Sequence, residues 1–280
     1  MAATMNPIHA SIDFLADRYQ EEKPYYLHPA SGVDIDLEAV KLSNVIWDPK
    51  PVPLRSMRDA NVSLEKTGFC FIEHESKFLP EDGSSGEVAT AYQRETEQML
   101  QEYFEAELVT CYDYRRRRNA PVKVEAYDPD DPQHVDQVAK GAHVGQSFID
   151  PGQRREFLSP GYRIRIVNTW RTINPVCEDR PLAVCDASSI DAKDLIPTDR
   201  VYPQWLQEIY HLSYNETQRW YWLPLQRSNE PLVFLSYDSK SESNARFCPH
   251  VSFDNPLAGP EAPRRHSVET RSLVITREKW

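Results

Sequence analysis

What this sequence has little of narrows it quickly. Only 9 of its 280 residues are glycine, against 22 prolines, so its connections are many and stiff. Basic residues are in deficit, 32 against 43 acidic, for a formal net charge of -11. That balance argues against a nucleic-acid backbone or an anionic membrane as partner. There is no CxxC pair. Cys70, Cys111, Cys177, Cys185 and Cys248 are scattered, and an odd, unpatterned set reads as reduced thiols in a cytoplasmic protein. No apolar run approaches the roughly 18 residues of a membrane span. The opening stretch MAATMNPIHASIDFLADRYQ lacks a basic start and a long apolar core, so it does not read as a secretory leader. No low-complexity tract or long-period repeat occurs.

What is present is aromatic. Six Trp and 14 Tyr bring Phe, Trp and Tyr to 11% of the chain, which suits a β-rich core or an aromatic-lined pocket. The length allows one large domain and is ample for a core without disulfides or metals.

The order of elements is uneven. Residues 1–50 are polar and punctuated by proline, and read as an N-terminal arm with one short helix over Ser11–Arg18. Residues 51–280 read as a single domain. Asp59–Gly68 is a helix or turn closed by glycine, and Phe69–His74 a strand. Over 85–106, Val88, Tyr92, Met99 and Tyr103 recur at helical spacing, with Leu100 and Phe104 widening the stripe. Leu108–Tyr114 is a strand followed by Arg115–Arg118, a run that reads as a solvated face from which one arginine turns in toward an anion at most. Residues 119–142 carry strong turn signals, among them Asp128-Pro129-Asp130-Asp131-Pro132. Then Tyr162–Trp170, Leu182–Cys185, Glu208–Tyr214, Arg219–Leu223, Leu232–Tyr237 and Leu273–Thr276 read as strands at the spacing of an antiparallel sandwich or barrel. Trp170 and Trp205 are assigned to the core. The expected fold is mainly β with flanking helices, a cupin-like jelly roll (a double-stranded β-helix).

Such barrels commonly hold iron through two histidines and one carboxylate, with open positions for a 2-oxo acid and oxygen. The sequence signal is H-x-D, a distal histidine, and an arginine for bidentate grip on the co-substrate. The distal part is present: His250 in Cys248-Pro-His250, and Arg265-His-Ser267 downstream. The proximal part exists as two near-copies. His134-Val-Asp136-Gln137 has the carboxylate; His143-Val-Gly145-Gln146 has glycine in its place. Spacing does not decide between them, and His134 reads equally as a solvated loop residue.

Many separate motifs appear in one order. Among them are Ile166-Val-Asn168-Thr-Trp170-Arg171, Pro181-Leu-Ala-Val-Cys-Asp186, Arg219-Trp-Tyr-Trp222, Ala245-Arg-Phe247 and Arg265-His-Ser-Val-Glu-Thr-Arg271. On these the chain, over roughly residues 55–275, resembles the fungal hydroxylase/desaturase family of the AsaB and CmcJ type. The resemblance implies a double-stranded β-helix and fungal secondary metabolism. It also implies an H-V-D-Q-S iron motif, whose flanks match Gly141–Ser147 and Gln153-Arg-Arg155 better than the His134 copy. The sequence then departs from the family at its carboxylate. Gln218-Arg-Trp220 and Arg265-His-Ser267 depart as well, from H-R-W and R-E-S.

These departures resemble family members that act as pericyclases. The resulting expectation is a hetero-Diels-Alderase with no cofactor and no metal, joining a polyketide-derived quinone methide to a terpene alkene. Arg265, His250, His143 and Tyr237 are its expected catalytic donors; Trp220, Trp222, Phe247 and Ser267 its expected substrate wall. Its partners would be small apolar organic molecules, with an oligomer left open. The alternative is an Fe(II)/2-oxoglutarate-dependent hydroxylase, desaturase or halogenase, with His134, Asp136 and His250 as ligands. A non-catalytic binding protein is the third class, favoured by no feature of the sequence.

Overall fold

The computed structural model describes residues 6–19, 22–29, 36, 39–81, 83–119, 135–139, 141–145, 161–204, 206–240 and 246–278. Its strands are β1 (Ile8–Leu15), β2 (Tyr25–Leu27), β3 (Trp47–Ser56), β4 (Phe69–Phe71), β5 (Leu108–Arg118), β6 (Val135–Gln137), β7 (His143–Val144) and β8 (Tyr162–Thr172). They continue as β9 (Leu182–Cys185), β10 (Leu195–Val201), β11 (Leu206–Leu212), β12 (Trp220–Trp222), β13 (Leu232–Asp238), β14 (His250–Ser252) and β15 (His266–Arg277). The α-helices are α1 (Leu64–Thr67) and α2 (Gly86–Phe104). A nine-stranded sheet runs β1-β3-β12-β9-β14-β7-β11-β10-β2, and a six-stranded sheet runs β4-β13-β8-β15-β5-β6. Two facing, mostly antiparallel sheets with a helix outside make the expected jelly roll.

Local chemistry sets the front of the domain. Ser63 caps α1 by accepting from the Lys66 amide, and Gly68 closes it at φ 88, a left-handed turn that glycine adopts at little cost. Helix α2 lays Met99 and Leu100 on Val167, Val233, Leu235 and Val274, the outer face of the smaller sheet. Between the sheets, Phe69, Trp170, Leu182, Val184, Leu232 and Phe234 form one apolar layer. Trp170 is in this core as expected, whereas Trp205 lies outside the described residues.

Several expectations are corrected here. Ser11–Arg18 is not a helix. Ile12 and Phe14 fit a period of two, and β1 pairs with β3 from Ile8↔Leu54 to Leu15↔Trp47, burying Ala10, Ile12 and Phe14. The arginine run does not stay in solvent but continues β5 to Arg118, paired along β15. Arg116 is buried, and its guanidinium donates to the Glu81 carbonyl at 3.0 Å. The final strand begins at His266 rather than Leu273, because β8 and β5 hydrogen-bond it on both sides. Asp136 is on β6 rather than in a loop. Strands β2, β3 and β10 gave no readable signal: β2 is only three residues long, and prolines interrupt the pattern of β3 and β10.

Candidate active site

Three short strands bring three histidines into one row. His250 on β14 lies opposite His143 on β7, and His143 lies opposite His211 on β11. Directly opposed residues face the same side of a sheet. The His143 and His250 rings are 4.5 Å apart between centroids, and those of His143 and His211 6.4 Å. His143 Nδ1 donates to the Gly141 carbonyl at 3.0 Å, and His250 Nδ1 to the Cys248 carbonyl at 3.0 Å. A carbonyl only accepts, so in both rings Nδ1 carries the proton and Nε2 keeps its lone pair. Both rings are held neutral. Burial lowers His143 to about 3, helped by His250 and opposed by the Gly141 bond. Burial lowers His250 to about 4, helped by Arg271 and Arg117.

Gly141 shapes this geometry. Its φ is +81, and a Cβ built there would sit 2.0 Å from the Trp47 ring. The indole fills the side-chain space of residue 141, while the carbonyl turns to His143. Trp47 also meets His211 edge-on, with centroids 5.0 Å apart. His211 Nδ1 pairs with the Thr198 hydroxyl at 2.9 Å.

The facing wall is the stretch Arg265-His-Ser267-Val-Glu269-Thr-Arg271. Alternation puts Ser267, Glu269 and Arg271 beside Thr172, Trp170 and Asn168 of β8, on the face that looks between the sheets. A small cleft has His143, His250, Arg117, Arg265 and Glu269 among its walls. Burial pushes the Glu269 carboxyl up, but Arg117 and Arg265 outweigh that and hold it ionised; Arg117 Nε is 2.9 Å away. Arg265 is 1% exposed. Its Nη1 donates to the Arg180 carbonyl at 3.1 Å, and its guanidinium lies 5.3 Å from the Trp170 ring. Among the described residues its Nε has no hydrogen-bond partner, nor has the Ser267 hydroxyl. Burial drops Arg265 to about 10, opposed by the Glu269 carboxylate, so it remains a cation.

The structure brings His143, His250 and Arg265 to one cleft and places Ser267 on the same face of the wall. It does not bring the other expected site residues there. On β12 only Tyr221 faces the inter-sheet layer, against Phe69 at 5.5 Å. Trp220 and Trp222 alternate to the far side, onto Phe14 and Phe253, and Phe247 packs on that same far cluster. Tyr237 lies past a β-bulge, is 39% exposed and does not line the cleft. Asp136 meets Arg115 at 3.5 Å and Arg117 at 3.9 Å. His134, Gln146, Ser147 and the Gln153-Arg-Arg155 stretch lie outside the described residues. Reasoning on sequence missed Glu269 and Arg271 as wall residues, although their spacing of two and four from Ser267 was there to read. It also missed Arg117 and His211, which only strand register reveals.

Two sheets closed over such a cleft define an enzyme scaffold of the 2-oxoglutarate-oxygenase type. A solved structure of a variant of the iron and alpha-ketoglutarate-dependent endoperoxidase NvfI superposes with a TM-score of 0.81 at 24% identity, covering 99% of this chain and 100% of its own. At the level of sequence the chain belongs to the Oxidoreductase/YMDC permease-like domain family, which it matches over residues 12–275. It is 30% identical to the alpha-ketoglutarate-dependent dioxygenase phiK of a fungal species, over 86% of this chain and 88% of that one. It is 26% identical to the hydroxylase/desaturase efuI of Hormonema carpetanum, over 82% and 84%. The chain is thus a fungal secondary-metabolite enzyme relative of the hydroxylase/desaturase kind, as the motifs implied. The expectation of a pocket with no cofactor is corrected by the same relatives, two of which are named for their dependence on alpha-ketoglutarate.

The residues present fit such a metal and co-substrate in part. Two neutral imidazoles with bare Nε2 atoms are donors a divalent iron accepts, and Nδ1–carbonyl bonds are the usual orienting partners of ligating histidines. The orphaned Arg265 Nε and Ser267 hydroxyl fit a carboxylate. The third protein ligand does not fit: at its place, two residues after His143, stands Gly145. No group of three or more His, Cys, Asp or Glu side chains poised for a metal occurs among the described residues.

Proposed function

We propose that this protein is an iron(II)- and 2-oxoglutarate-dependent enzyme of fungal secondary metabolism, oxidising a small organic substrate. The observation that carries the reading is the pairing of two lone-pair imidazoles, His143 and His250, with a buried Arg265 whose Nε lacks a hydrogen-bond partner among the described residues, all in one cleft. His143 and His250 would hold the metal, which when bound supplies activation of oxygen. Arg265 and Ser267 would hold the co-substrate carboxylate, where a charge-assisted bond to a desolvated guanidinium contributes roughly 1.5–3 kcal/mol. Glu269 and Arg117 neutralise each other beside it and keep the cleft polar on that wall. Trp170 covers the arginine and excludes water.

The test is binding followed by turnover. Protein loaded with iron anaerobically should retain it, His250→Ala should not, and Arg265→Gln should raise the 2-oxoglutarate Kd about tenfold to hundredfold. Under oxygen the loaded enzyme should release succinate. Protein that retains no iron and binds no 2-oxoglutarate would refute the reading.

Gly145 favours a second reading, a cycloaddition between a quinone methide and a terpene alkene in the same cleft. There the walls would orient the two partners and a guanidinium would take up charge on a reacting oxygen. Undiminished turnover without oxygen, and with no succinate formed, would favour it over oxidation.

A further inference from the structure

We propose that Phe234 is a positioning residue for the candidate metal site. Its ring reaches across from the opposite sheet and holds the His250 imidazole in the orientation that gives Nδ1 to the Cys248 carbonyl and leaves Nε2 for a metal. The proposal rests on the reading of His143 and His250 as metal ligands and adds the residue that keeps them ready.

The argument starts from β13. Leu232-Val-Phe-Leu235 is apolar and buried at every position, so composition does not separate its two faces. Packing does. Val233 and Leu235 join Met99 and Leu100 under α2. Leu232 and Phe234 alternate to the other face and join Leu182 and Val184 of the larger sheet. Val184 lies directly opposite His250. Register, not a motif, therefore carries Phe234 to the site. Its ring centroid is 4.7 Å from that of His250, at 53° between planes. His250 is in turn 4.5 Å from His143, at 54°. Phe234, His250 and His143 form one packed run of rings that begins on the smaller sheet and ends on the larger.

The His250 ring turns about two side-chain bonds. The bond from Nδ1 to the Cys248 carbonyl, 3.0 Å long, fixes one edge, but a single hydrogen bond is a hinge about which the plane tilts. A second contact, away from that bond, removes the freedom. Phe234 suits the task. It is only 3% exposed and is itself held in the apolar layer with Trp170 and Leu232. Its ring meets the imidazole face to face or edge to face without a competing polar group, so the Nε2 lone pair stays available. A leucine would fill the space but offer no flat surface. Groups that orient a ligating histidine from behind contribute about tenfold to hundredfold to metal affinity. His143 has its own support in the Gly141 carbonyl; His250 has Phe234 as well as a carbonyl.

The test uses the full chain with cobalt(II) as the probe metal, read by equilibrium dialysis and by the visible bands of the bound ion. Phe234→Leu should weaken cobalt about tenfold and shift those bands. Phe234→Met, nearer in volume but without a ring, should do the same and decides if the leucine variant does not fold. Leu232→Val removes volume from the same layer two residues away; it should lower the urea midpoint and leave cobalt affinity and bands as in the parent. Nitrogen NMR of the metal-free chain should show His250 as one Nδ1-protonated tautomer in the parent and as a mixture in Phe234→Leu. The proposal is overturned if both Phe234 variants bind cobalt as the parent does with the same bands, or if Leu232→Val moves both as far. A parent chain that takes up no cobalt, yet shows the tautomer change in Phe234→Leu, would sink the oxygenase reading alone.

Discussion

Gly141→Ala tests the site at its least tolerant backbone position. Two costs follow from the geometry. An L residue at φ +81 pays the left-handed penalty of about 1–2 kcal/mol. The new methyl would also begin 2.0 Å from the Trp47 ring, so the indole must leave, and forced repacking of that kind costs about 1–3 kcal/mol. Urea unfolding should therefore show a loss of about 2–5 kcal/mol. The same shift turns the 141 carbonyl away from His143 Nδ1, and loss of such an orienting bond weakens metal binding about tenfold to hundredfold. Trp47→Leu combined with Gly141→Ala should be less damaging than the two single losses added, since one ring no longer collides with one methyl. A Gly141→Ala protein within about 0.5 kcal/mol of the parent, with metal affinity unchanged, would refute the packing argument and the orientation argument together.

The histidine row makes stability depend on pH. His143, His211 and His250 lie near 3, 3 and 4 in the folded chain, below the ordinary 6.5, so the unfolded chain binds more protons between those limits. The stabilisation is present above pH 6.5 and is lost as pH falls toward 3, each histidine adding a slope of at most about 1.4 kcal/mol per pH unit; His211→Asn should flatten the curve measured by urea titration. Asp136→Asn should leave iron affinity within about twofold, because its carboxylate faces arginines; a large loss of iron in equilibrium dialysis would return Asp136 to the ligand set. Native protein at pH 8 should resist iodoacetamide at all five cysteines, since burial raises the thiols of Cys70, Cys111, Cys177, Cys185 and Cys248; five rapid alkylations counted by mass spectrometry would contradict that burial.

The fold was legible where one period dominated. Helix α2 and strand β8 repeat apolar residues clearly enough to be read directly. Strand β1 was not, because Ile12, Phe14 and Leu15 satisfy both periods and only the pairing with β3 chooses between them. The arginine run misled for a related reason. Charge suggests solvent, yet alternation on a strand hydrogen-bonded to β15 sends Arg116 to one face and Arg117 to the other. At the candidate site, His250 and Arg265 were legible because a motif frames each, and both line the cleft. Flanks favoured His143, and the structure sets its ring beside His250. Tyr237, Trp220 and Trp222 were misplaced because a strand's parity cannot be anchored without its neighbours. A bulge at Tyr237 and the outward turn of β12 decided them.

Strand β15 is gripped along both edges, so its spacing is a fixed ruler. From Arg265 to Arg271 the chain advances six residues, about 20 Å at ordinary strand rise. A slip of one residue would reverse every side chain of the strand at once and carry Glu269 out of the cleft. The parity of this wall is therefore held by the hydrogen bonds to β5 and β8 on its two edges, and not by anything inside the cleft.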